Sequence, residues 1–278
     1  MKKFHFFLFF FSFFLCIQSA KAQLTRQSTH SNIGWYCYFG DHKISKKFSI
    51  HTEYQWRRTD WIKTWQQSLA RVGVNYAINP KVTFTLGYGF INTFTYGEVN
   101  PASGVFPISR TNKEGKEQSF PEHRIYQDAL INNNLDNVEM NHRLRLEQRY
   151  MGLFYDGNDD RISGQWRLFH RFRYRFRIGV PLKGATIDEK EFYLHAYNEV
   201  FIGFGEDVGY NIFDQNRVNI GMGYRINKSA RIEGGFFSQI VQRPRLNTTV
   251  SPAKAVFEYN QGFLIALVYN FDFSKKQD

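Results

Sequence analysis

A chain of 278 residues with formal net charge +11 and 18% aromatic residues is long enough for one domain or two small ones. Past the first residues no apolar run approaches the roughly 20 residues of a spanning helix, which excludes a helical membrane protein. The basic balance would suit nucleic acid, but the start of the chain argues against that partner.

Residues 1–22 read as a signal peptide. Met1-Lys2-Lys3 is basic, Phe4 to Ile17 is almost wholly apolar, and Ala20-Lys21-Ala22 supplies a small-x-small site. Leu15 before Cys16 departs from a lipoprotein signal. Processing removes the three lysines Lys2, Lys3 and Lys21 and takes the net charge from +11 to +8. It leaves Cys37 as the single cysteine, so neither an internal disulfide nor a cysteine-rich zinc site is expected. Residues 23–278 are expected to form one domain, with no cofactor or metal.

From Asn32 onward the pattern is alternation, which signals two-faced strands. Phe48, Ile50, Thr52, Tyr54 and Trp56 oppose Ser49, His51, Glu53, Gln55 and Arg57. Val82, Phe84, Leu86, Tyr88 and Phe90 oppose Thr83, Thr85, Gly87 and Gly89. Val218 to Ile226 repeats the device, and Phe257 to Phe273 carries a long aromatic face. Strands are predicted near 32–39, 48–58, 66–78, 82–95, 122–132, 140–151, 165–180, 191–204, 216–226, 230–241 and 257–273. Most reach the length of a tilted spanning strand, about ten residues.

Asn79-Pro80-Lys81 and Asn227-Lys228-Ser229 are tight turns, whereas 97–121, 152–164, 205–215 and 242–256 are longer and polar. Short turns at one end and longer loops at the other are the plan of an outer-membrane barrel. Tight turns in the periplasm put all four long connections outside and the C-terminus inside. The predicted fold is an all-β, antiparallel transmembrane β-barrel. Eleven strands are counted, but bacterial barrels normally close with an even number. About 12 strands are therefore expected, with residues 23–31 adding a short first one; 10 is the alternative.

Trp166 to Val180 places Arg167, Arg171, Arg173, Arg175 and Arg177 on one face, with aromatic and aliphatic residues on the other. A helix would scatter these arginines; a strand collects them in a row. Against lipid each would cost a few kcal/mol near the midplane, so the row is expected to face the lumen. Arg143, Arg145, Glu147 and Arg149 form a second such row. Glu53 with Arg57, His195 with Glu199, Arg217, Arg225, and Arg231 with Glu233 occupy other polar faces. Consecutive strands usually pair, so the two arginine rows should line one wall. Glu147 should sit among them, with Glu53, Glu199 and Glu233 reaching across. The arrangement reads either as a bracing network filling a narrow barrel or as a narrow anion-preferring pore.

Catalytic signals are few, and no enzyme is expected. There is no Gly-x-Ser-x-Gly elbow. No histidine has the His-x-Ser spacing of outer-membrane lipases and deacylases; in His30-Ser31-Asn32 the neighbours point to opposite faces. His51 with Glu53 and His195 with Glu199 share faces and are the one candidate centre for the alternative, a membrane-embedded lipid-modifying enzyme. Gly87, Gly89, Gly221 and Gly223 lie inside strands without the helix a dinucleotide site needs, and read as relief of crowding. Trp35, Trp56 and Trp166 are candidates for interfacial girdles, and Trp61 and Trp65 for a loop platform.

The segments Pro121-Glu122-His123-Arg124-Ile125, His142 to Arg149, Asn198-Glu199-Val200-Phe201, Phe213 to Arg217, Gly221 to Arg225 and Tyr269 to Phe273 resemble, in that order, the domain-of-unknown-function 2490 family of secreted Gram-negative proteins. The resemblance implies an outer-membrane barrel and no assigned reaction. The aromatic last strand is also similar to the assembly signal of such barrels, though Ser274 to Asp278 extend beyond it. The expected partners are outer-membrane lipid, the barrel-assembly machinery and small anions, with no nucleic acid. The soluble alternative is a periplasmic lipocalin-like binding barrel with its apolar face inward.

Overall fold

A computed structural model describes residues 26–94, 96, 119–153, 165–209, 211–247 and 251–274. The expected leader lies outside the described residues, as do 97–118, 154–164 and 248–250 of the long connections and 275–278 of the tail.

Eleven strands close into one barrel. They are β1 (Arg26–Lys43), β2 (Phe48–Thr59), β3 (Thr64–Ala77), β4 (Val82–Phe94), β5 (Ser119–Leu135), β6 (Val138–Leu153), β7 (Gln165–Pro181), β8 (Glu191–Phe204), β9 (Phe213–Arg225), β10 (Ala230–Asn247) and β11 (Lys254–Tyr269). A 3-10 turn at Glu206–Val208 interrupts the connection between β8 and β9. Each strand pairs antiparallel with its sequence neighbour.

The expected twelve strands, or ten, are thus corrected to eleven. Residues 26–31 add no separate strand; they lengthen β1. An odd up-and-down series leaves its first and last strands pointing the same way, so they must close in parallel. They do so from Arg26↔Ala255 to Phe39↔Val268. Past β11 the pairing runs on, as the Lys43 N–H donates to the Phe271 carbonyl at 2.8 Å and the Phe273 N–H donates to the Lys43 carbonyl at 2.8 Å. The rule of even numbers assumes antiparallel closure, and this barrel closes otherwise.

The turns at one end have a local cause. Asn79 Oδ1 accepts from the backbone N–H groups of Lys81 and Val82 at 2.8 and 2.9 Å. Asn227 Oδ1 does the same for Ser229 and Ala230, also at 2.8 and 2.9 Å. Such Asx turns reverse the chain tightly. The four expected long connections lie at the opposite end, with one short member, Asp60–Lys63, where Asp60 and Trp61 both take positive φ; the turn end is not uniformly tight, since residues 182–190 join β7 to β8 there.

Alternation sorts the side chains. Outside stand Val72, Leu86, Ile125, Leu146, Phe172, Ile202, Ile220, Phe236 and Ile265, all exposed. Among described strand side chains, the charged residues on this face are Arg26 and Arg58, both near the long-connection rim. Inside lie the carboxylates and the other arginines. With strands about 4.8 Å apart and tilted about 40°, eleven of them make a bore about 22 Å across. Long side chains from opposite walls meet in a bore of that size. The inner surface has two characters. Where β1, β10 and β11 meet it carries an apolar cluster, with Ile33, Trp35, Cys37, Phe237, Leu264 and Ala266 packed together. On β5 to β8 it is charged.

Candidate functional site: a charged layer and a vestibule

The centre of the charged wall is Glu147 on β6, which is fully buried. Arg171 gives it two hydrogen bonds, 2.8 Å from Nε and 2.6 Å from a terminal nitrogen. Arg173 donates at 2.6 Å and Arg124 at 3.2 Å. Arg71 and Arg145 each approach to 3.9 Å. Five guanidiniums from β3, β5, β6 and β7 thus converge on one carboxylate. Pairing of β6 with β7 sets Glu147 opposite Arg171 and Arg145 opposite Arg173, so the two rows do share a wall.

Further carboxylates surround this one. Glu199 accepts from Arg173 at 2.8 and 3.1 Å and from Arg143 at 2.6 Å. Asp128 takes Arg145 in a two-point contact at 2.5 and 2.6 Å, and Glu122 takes Arg149 at 2.9 and 3.0 Å. Arg171 also reaches Asp214 at 2.5 Å. Glu233 on β10 receives Arg177 of β7 at 2.7 and 2.9 Å, with Arg231 at 3.1 Å and Tyr193 at 2.7 Å. Two-point geometry suits the planar guanidinium and holds each side chain in place.

Other expected residues land differently. Glu53 does not cross to the β6–β7 wall; it meets Arg71 on the adjacent strand at 2.6 Å and His51 at 3.4 Å. Arg57 lies on the Trp35 ring, 3.7 Å from its centroid, and donates to Gln55 and Gln67. Arg217 stacks between Trp35 and Phe201, at 4.9 and 4.4 Å. Arg175 donates to Asn141 at 3.2 Å and Arg225 to the Ile187 carbonyl at 2.6 Å. Arg167 sits near the long-connection end of β7, in register with Met151.

Of the two histidine–glutamate pairs, the structure joins one. His51 bridges Glu53 and Asp41, the latter at 2.8 Å. His195 instead lies against Tyr193, ring centroids 6.3 Å apart, while Glu199 goes to the arginines. Among the described residues no group of three or more His, Cys, Asp or Glu side chains is placed to hold a metal ion.

Sequence reading missed Arg71, Glu122, Arg124, Asp128 and Asp214. The alternation that flagged β6 and β7 runs equally through Glu122, Arg124, Tyr126 and Asp128, and would have found most of them. Trp35 was misplaced: it faces the lumen, buried, and donates from Nε1 to Gln66 at 2.7 Å. The strand-interior glycines make room, as expected of relief positions. A Cβ at Gly87 would collide with the inward Tyr126 ring, and one at Gly223 with Tyr193.

The central layer of Glu147, its arginines, Tyr126, Phe201 and Trp35 meets across the bore. Toward the long-connection rim, Tyr96 reaches in to Glu258 at 2.8 Å. Toward the turn end the lumen widens into a vestibule of about 570 Å³. Its walls run from Asn134, Glu139 and Arg225 at the rim to Glu53, Arg145 and Asn219 within.

Comparison with known proteins gives a family and no more. The family described as "Protein of unknown function (DUF2490)" matches residues 32–249. The chain belongs to that family. The match runs from within β1 past the end of β10, and so covers the Glu147 layer. Searches of curated proteins and of solved structures found no match to the chain.

Proposed function

We propose that this DUF2490 protein is an outer-membrane β-barrel, exported through a cleaved leader, whose lumen is closed by its own side chains. The single observation that carries the reading is the reversal of ordinary polarity: apolar outside, ionic inside. An arginine at the bilayer midplane costs about 2–4 kcal/mol on the lipid face, and the arginine rows are turned away from it. A lipocalin-like barrel would turn its apolar face inward.

The rims support the same reading. Of the eight histidines, five stand on the outer face and each packs on an aromatic ring. His30 on Tyr259, His123 on Trp166 and His170 on Phe204 lie toward the long-connection end. His42 on Phe271 and His142 on Phe176 lie toward the turn end. Amphipathic rings at two levels are what interfacial girdles require. Trp56 and Trp65 extend the upper belt, 6.1 Å apart.

Closure follows from the Glu147 layer, which makes the barrel a braced, non-conducting one. A narrow anion-preferring pore is the second reading. It is favoured by Arg57, Arg175 and Arg217, which among the described residues have no carboxylate within 4 Å. Planar-bilayer recording on the purified protein tests both. Silence supports the closed barrel, and steady current reversing toward chloride replaces it with the pore. Recovery from the inner-membrane or soluble fraction would overturn the location.

A further inference from the structure

We propose that the vestibule at the turn end binds a single-chain amphiphile with an anionic head, carboxylate or phosphate. The inference rests on the closed-barrel reading, which makes the vestibule blind, and adds what occupies it.

The head site is Arg175. In the β7–β8 register Glu199 lies directly opposite Arg175, yet its carboxylate is taken by Arg143 and Arg173. Among the described residues Arg175 keeps only Asn141 at 3.2 Å, and its Nε has no hydrogen-bond partner. The Nε of Arg143, next to it across β6–β7, is also without a partner among the described residues. Both residues line the vestibule. Both side chains are half-buried, with the Nε atoms themselves shielded from solvent; a shielded N–H without an acceptor is costly, and a ligand oxyanion removes that cost by accepting from it.

The tail site is the facing wall. Phe39, Leu264, Ala266 and Val268 line the same vestibule. Leu264 and Ala266 belong to the apolar cluster of β1, β10 and β11, against which Phe39 and Tyr197 pack. Tyr197 joins the two halves: its ring holds the Arg175 guanidinium 5.8 Å from the centroid and packs on the apolar cluster. A purely polar anion would leave this wall wet, and a neutral lipid tail would leave Arg175 unpaired. A volume of about 570 Å³ falls within the range of small-molecule pockets.

The experiment is calorimetric titration of the full barrel in zwitterionic-lipid nanodiscs, with empty nanodiscs subtracted. The probes are octanoate, octyl phosphate, octanol and acetate. Octanoate or octyl phosphate is expected to bind at least tenfold more tightly than octanol, and acetate not at all. Each methylene from hexanoate to octanoate should tighten binding about fourfold. Arg175→Gln should weaken the anionic probes at least tenfold and leave octanol unchanged. Ala266→Phe, which keeps Arg175 and narrows the apolar wall, should weaken octanoate and remove the chain-length dependence. Which anionic probe binds more tightly identifies the head group. Equal affinity of parent and Arg175→Gln, or no binding of either anionic probe to protein that retains its heat-modifiable band, overturns the proposal. Because folding and conductance are read separately, either result leaves the closed-barrel reading standing.

Discussion

Arg177 on β7 and Glu233 on β10 meet inside the barrel through two hydrogen bonds of 2.9 and 2.7 Å, although two strands separate them in the wall. Such a bond spans a chord of the bore, so it opposes both opening and ovalisation. A double-mutant cycle of Arg177→Gln and Glu233→Gln should give a coupling of about 1–3 kcal/mol in urea unfolding from micelles. A coupling near zero would mean that the chord is incidental.

Glu147 is the more demanding position. Replacing it by glutamine removes the one negative charge shared by Arg71, Arg124, Arg145, Arg171 and Arg173. Breaking a buried ionic cluster from one side costs about 3–5 kcal/mol, because the remaining charges stay buried unpaired. Glu147→Gln should therefore lose heat-resistant folding in detergent and gain chloride conductance. If both properties match the parent, the network does not brace the barrel.

The parallel closure makes its own prediction. At Gly262 of β11 an added Cβ would run into the Ile33 carbonyl of β1, whereas at Gly234 of β10 the nearest atom is 4.0 Å away. Backbone cannot yield as a flexible side chain can. Gly262→Ala should cut the yield of folded barrel sharply, by the roughly 1–3 kcal/mol of overpacking, while Gly234→Ala folds like the parent. Refolding into vesicles, scored by heat-modifiability, compares them directly.

On catalysis, lipase and deacylase assays of the purified barrel should detect no turnover. His51 is held between Asp41 and Glu53, and Ser49, which precedes it by two on the same face, accepts from Asn75 at 3.0 Å. Turnover that His195→Ala or His51→Ala abolishes would establish the enzymatic alternative.

Much of this barrel could be read from alternation. The strand rows of β6 and β7 and the placement of their arginines on one face follow from period two alone, as does a count of eleven. What alternation does not carry is the sense of the closing pair: Arg26 to Phe39 looks the same whether it runs with β11 or against it. Nor does it say which face is which when both are mixed. β1 turns Ile33, Trp35, Cys37 and Phe39 inward and Tyr36, Tyr38 and His42 outward, so the rule "polar inside" misassigns Trp35. The partners of Glu147 were legible only by class. That Arg71 approaches it from β3, three strands away, depends on the bore of the closed barrel, which no single strand encodes.

Trp35 supplies the last test, because it fills the bore where the cations lack counter-ions. Its ring carries Arg57 at 3.7 Å and Arg217 at 4.9 Å, and its Nε1 is fixed by Gln66 at 2.7 Å. On the other side it packs on Phe237, centroids 4.3 Å apart. Trp35→Ala removes this stopper and costs about 3–5 kcal/mol in packing. The gap that opens is lined by Arg57 and Arg217, with no carboxylate within 4 Å of either among the described residues. Trp35→Ala should thus conduct, and in a potassium chloride gradient its reversal potential should move toward the chloride equilibrium. Trp35→Phe keeps a ring for both guanidiniums and should stay silent. A cation-selective Trp35→Ala current would place the path elsewhere, past the carboxylates of β5 and β6, and a silent but folded Trp35→Ala barrel would show that the Glu147 layer seals the lumen without the indole.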